Sequence, residues 1–149
     1  MGGRGGSSGL SGGVRASGTI YERFNIQKNR ANKFDASRLQ GSDEQKSYAQ
    51  NIVNNAFNTA DNEIKQAIDK LDHYASKGRY DELFAAYTAA KVRAYIETKN
   101  KIEDMANKTK SASSIIKNRF TIQNVIPTMR NSLEEKYRKE YEQKVKKKK

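Results

Sequence analysis

Cysteine and tryptophan are absent, proline and histidine occur once each, and only two of the ten glycines lie beyond residue 18. Without cysteine there are no disulfides, thiolate metal sites or thiol nucleophiles. With His73 as the single histidine, Ser-His, Cys-His and multi-histidine metal constellations cannot be assembled within one chain. The expectation is a non-enzyme with no catalytic residues, no cofactor and no metal site. No apolar run approaches the ~18 residues of a membrane span, and the glycine-rich start lacks the apolar centre of a secretory signal. A soluble chain without membrane contact, retained inside the cell, is expected. Period-two alternation is also missing, which argues against strands and for an all-α fold.

What is present is 149 residues, 35% hydrophobic and 31% charged, enough for one small domain with a modest core. Residues 1–41 read as a flexible, basic, glycine-rich arm followed by a connector. In the connector Tyr21, Phe24, Ile26, Phe34 and Leu39 alternate with basic residues and can lie on the core. Residues 42–149 read as a helical domain ending in a basic tip.

Ser42 and Gln45 have capping-box spacing, and Asp43 and Glu44 suit the positive first turn, so a helix begins there. Ala49, Val53, Ala56, Ala60, Ile64, Ala67 and Leu71 then recur every three or four residues until Gly78, predicting one long helix of roughly 35 residues, near 50 Å. Asp81 and Glu82 open a second helix carrying Leu83, Phe84, Tyr87, Ala90 and Ala94. The intervening link permits only an antiparallel hairpin, and the small residues on both helices allow close approach. Ser113 or Ser114 is expected to cap a short third helix ending at Pro127, and a last helix is expected to start near Pro127.

That last helix bears Met129, Leu133, Tyr137 and Tyr141 at a strict step of four. Such a stripe drifts around the helix and makes one long seam, for which a protein partner or self-association is the favoured occupant, with the chain's own hairpin as the other. Lys and Arg outnumber Asp and Glu by 29 to 17, a formal net charge of +12. The excess lies before residue 42 and after residue 110, while the hairpin between is neutral. Basic ends flanking a neutral hairpin point to a polyanion, nucleic acid or a nucleoprotein, gripped by Arg4, Arg15, Arg23, Arg30, Lys144, Lys146, Lys147, Lys148 and Lys149.

Weaker motifs each have a plainer reading. Arg4 sits in one Arg-Gly-Gly box of the kind found in RNA-binding segments, although a plain flexible linker explains it equally. Asp69 and His73 share a helical spacing seen in metal sites, but a histidine near a helix C-terminus needs no metal. The stretch 78–87, with Ala90, looks like half a tetratricopeptide repeat, without the 34-residue self-similarity of a true array. The opening Met1-Gly2-Gly3-Arg4-Gly5, followed by Ser7-Ser8-Gly9, is similar to that of small proteins encoded beside head-morphogenesis genes in prophages of Gram-positive bacteria. That resemblance implies a phage-encoded protein, virion- or packaging-associated. The alternative is a host-defence inhibitor of the anti-CRISPR kind, gripping a nucleoprotein effector. A helix-turn-helix regulator does not suit so long a hairpin.

Overall fold

The computed structural model describes residues 16–146, and these form an all-α body. Its helices are α1 (Ala16–Arg23), α2 (Asp43–Ser76), α3 (Glu82–Lys108), α4 (Ala112–Lys117) and α5 (Arg119–Lys146), with a single 3-10 turn at Ala36–Arg38. The capping box forms as its spacing requires: Ser42 Oγ accepts from Gln45 N–H and Gln45 Oε1 accepts from Ser42 N–H. At the other end of α2, Gly78 adopts φ 73°. Its N–H reaches the Ala75 carbonyl and that of Arg79 reaches Tyr74, closing a Schellman motif that a side chain at Gly78 would strain. Asp81 then accepts from Leu83 N–H and starts α3.

The hairpin of α2 and α3 is antiparallel, with Tyr74 edge-on to Phe84 near the turn and Glu63 opposite Lys91 further along. Small residues form the close face: Ala56 and Ala60 of α2 and Ala85, Ala86, Ala89 and Ala90 of α3 are all buried. Leu71 and Ile64 are buried as expected, whereas Ile68, Leu83, Phe84 and Tyr87 are only partly covered, because the alanines occupy the contact itself. A second partner covers α3. Helix α5 runs antiparallel along it, so α3 lies between two long neighbours and is buried on most of its circumference, down to Val92, Ala94, Tyr95 and Ile102.

Residues 16–41, which include the connector, pack on this body. Ile20, Phe24, Ile26, Phe34 and Leu39 are buried, and Asp72 of α2 accepts the Ser17 N–H at 2.8 Å, serving the first turn of α1 from another helix. The expected flexible arm otherwise falls on residues outside the described ones.

The C-terminal boundaries also differ from expectation. Ser111, rather than Ser113 or Ser114, caps α4, and the break comes at Asn118, not at Pro127. Pro127 stands inside α5. It lacks the N–H that would reach back one turn, but its position is solvent-exposed while Ile122 and Ile126 are buried, so packing carries the helix past the missing bond. No helix among the described residues is long and apolar enough to cross a membrane.

Candidate nucleic-acid interface

Of the cations expected to face a polyanion, four are described, and each has an acceptor on its own chain. Arg23, at the end of α1, donates to Glu82 at 2.9 Å and is largely covered. Arg30 grips Glu103 through two nitrogens at 2.6 and 3.2 Å. Lys33 N–H adds a third bond to the same carboxylate at 2.6 Å, and the Arg30 hydrogen bond holds Glu103 below the usual carboxylate range despite some desolvation. Lys144 donates to the Arg23 carbonyl at 2.6 Å, covering the C-terminus of α1, and Lys146 pairs with Glu142 at 2.7 Å. Arg23, Arg30 and Lys144 thus meet acceptors on other segments of the chain, which segment-by-segment charge counting could not place, whereas the Lys146 pair lies within α5 and is exposed. Arg4, Arg15, Lys147, Lys148 and Lys149 lie outside the described residues.

The tyrosine seam is likewise satisfied at home. Tyr137 and Tyr141 are buried against α3. Tyr137 Oη donates to Glu97 at 2.6 Å, and Arg93 reaches Glu97 and Tyr141 at 2.8 Å each, with its guanidinium 3.9 Å above the Tyr137 ring. Phe24 closes the far side, 4.8 Å from the Tyr141 ring. Burial and the Glu97 carboxylate push the Tyr137 phenol up to about 12. Met129 and Leu133 are half-buried on the same helix. At Tyr137 and Tyr141 the seam is filled by α3 and by Phe24, the residue after α1, of the same chain.

A different region remains electrostatically unanswered. Between Asp104 and Glu134 the chain carries Lys108, Lys110, Lys117, Arg119 and Arg130 and no acid. Lys108 and Arg130 turn to the flanking acids, Asp104 at 3.0 Å and Glu134 at 2.7 Å. Lys110, Lys117 and Arg119 make no ion pair among the described residues. They stand where α3, α4 and α5 meet, and the backbone there is held firmly. Gln40 N–H donates to the Lys110 carbonyl at 3.0 Å and Ala112 N–H to the Gln40 carbonyl at 2.8 Å. A Cβ on Gly41 would come within 2.9 Å of Gln45 Oε1 and 3.2 Å of Ala112 Cβ, so only glycine lets the strap approach this junction.

Exposed apolar groups sit among these cations. Phe120 is 62% exposed, with the Arg119 guanidinium 4.6 Å from its ring centre, and Met105 is 37% exposed. A cleft of about 250 Å³ opens here, lined by Met105, Thr109, Ser114, Ile115, Asn118 and Ile122 among others. Such a volume lies below the ~300–1,000 Å³ of pockets that enclose drug-sized ligands, so it suits one small planar ring rather than a whole cofactor. Counting charge over residues 111–149 as one block hid this end, because the four acids of that block all lie after residue 133.

Among the described residues no group of three or more His, Cys, Asp or Glu is placed to hold a metal ion. Of the acids near His73, Asp69 pairs with Lys65 and Asp72 serves α1. Comparison with protein-family models, curated proteins and solved structures found no match.

Proposed function

We propose that this is a non-enzymatic, phage-encoded nucleic-acid-binding protein, virion- or packaging-associated, whose binding surface is the acid-free junction of α3, α4 and α5. The observation that carries the nucleic-acid reading is the set Lys110, Lys117 and Arg119, which form no ion pair among the described residues and have no carboxylate in the intervening sequence, Arg119 donating to the Ile116 carbonyl at 2.9 Å. A protein cation that is not needed by its own fold releases counterions when it meets a phosphate, and that release drives binding. The phage assignment is supported by the similarity of Met1-Gly2-Gly3-Arg4-Gly5 to proteins of prophage head-morphogenesis regions.

The test is a salt-titrated binding assay of the intact chain with single-stranded DNA, single-stranded RNA and duplex DNA. Affinity is expected to fall steeply with salt, and the Lys110→Ala/Lys117→Ala variant to lower the slope by roughly 0.7 log units per lysine on single strands. Binding that is undetectable at low salt, or insensitive to salt, overturns the reading. Preference for a guide-loaded effector over naked strands would move the assignment to a host-defence inhibitor.

A further inference from the structure

We infer that the cleft at the α3–α4–α5 junction accepts an unstacked base, making the preferred partner a single strand rather than a duplex. The inference rests on the nucleic-acid reading and specifies which strand state it recognises. Three independent features converge on this spot. The cleft is lined by the apolar Met105, Ile115 and Ile122 and the polar Thr109, Ser114 and Asn118, the combination that receives a flat ring bearing edge donors and acceptors. The cations are immediate chain neighbours of these polar residues: Lys110 follows Thr109, while Lys117 and Arg119 flank Asn118. A backbone crossing between them places its phosphates beside positive charge while one base turns inward.

Phe120 supplies the third feature. It follows Arg119 and precedes Thr121, itself part of the cleft wall, and its ring is the most exposed of the large apolar side chains among the described residues. The core has no use for a phenylalanine so placed, whereas a second base can stack on its face, with the Arg119 guanidinium extending the platform. A paired duplex offers neither a free base for the cleft nor an open face for Phe120. An abasic strand offers phosphates alone.

The experiment measures the intact chain and three variants against short oligothymidine, an abasic strand of equal length, the matching duplex, and vesicles of anionic lipid. Phe120→Ala removes an exposed ring, and Thr121→Trp fills the cleft mouth from an exposed position, so thermal melts of both should match the parent. Each is expected to weaken oligothymidine binding about tenfold, within the ~1–3 kcal/mol range of base–aromatic stacking, while leaving the salt slope and the abasic-strand affinity unchanged. Lys110→Ala/Lys117→Ala is expected to weaken all nucleic acids and flatten the slope. If duplex and abasic strand bind as tightly as oligothymidine, or if neither Phe120→Ala nor Thr121→Trp changes affinity, the base-accepting cleft is overturned while the polyanion reading stands. If vesicles are preferred and Phe120→Ala abolishes that binding, the surface is a membrane-docking one and the inference fails. If no nucleic acid binds, both readings fall together.

Discussion

Lys99 lies in the middle of α3, and its side chain is 1% exposed. Its Nζ is fully occupied, donating to Asp61 at 2.6 Å, to the Arg30 carbonyl at 2.7 Å and to Asn29 Oδ1. One ammonium thus ties α2, α3 and the extended stretch after α1, and its three donors meet three acceptors, which is what makes its burial tolerable. Lys99→Met keeps the volume and removes all three bonds. It should lower stability by about 1.5–3 kcal/mol, the range for hydrogen bonds to a charged group. Limited proteolysis should then cut first within residues 25–35, and an unchanged midpoint with unchanged cleavage would show the tie to be idle. Tyr137 gives a pH test. Its folded pKa, pushed up to about 12, exceeds the ordinary tyrosine value of 10.0, so the fold holds a proton that the unfolded chain releases. Its contribution is complete below pH ~10 and is lost as pH rises toward 12. Tyr137→Phe should remove the late step from a tyrosinate absorbance titration and shrink the alkaline loss of stability. None of this was legible in the sequence, where Lys99 is one cation among 29 and Tyr137 one tooth of a stripe.

At the scale of elements, the hairpin was legible because its signals are local. Ser42, Gln45, Gly78 and Asp81 each act within a turn or two of their own position, and the structure uses them all at the expected ends. The role of α5 was not, since a step-of-four stripe shows that a seam exists and not which surface fills it. A clue lay in α3 instead: from Leu83 to Ile96 it carries only Lys91 and Arg93 as charges, with small or apolar residues spread around the helix, the composition of an element covered on more than one side. Pro127 misled for a physical reason. The rule that proline ends a helix weighs one lost hydrogen bond and a steric clash, and here buried Ile122, Ile126 and the tyrosine seam outweigh both. Pro127→Ala should therefore stabilise the protein, by about 1–2 kcal/mol after allowing for the greater freedom of the unfolded variant, as read from denaturant midpoints. A lower midpoint would mean that the proline shapes a bend the packing needs.

For the whole molecule, the +12 net charge divides by use rather than by position. Arg23, Arg30 and Lys144 hold segments together, while Lys110, Lys117 and Arg119 make no ion pair among the described residues. Deleting residues 1–15 should leave the melting temperature unchanged. Deleting residues 1–24 removes the buried Ile20 and Phe24 and should cost about 3–6 kcal/mol, so calorimetry of the two truncations locates where the fold begins. Equal stability of both would show α1 to be dispensable.

The bond from Lys144 to the Arg23 carbonyl joins positions 121 residues apart, and the Phe24–Tyr141 ring contact spans nearly the same interval. During synthesis α1 leaves the ribosome before α5, which carries the surface that completes its binding. The hairpin can close from its own local signals, whereas Phe24 has no Tyr141 to meet until α5 has been made. A chain released short of residue 141 therefore lacks one wall of the site that covers Phe24.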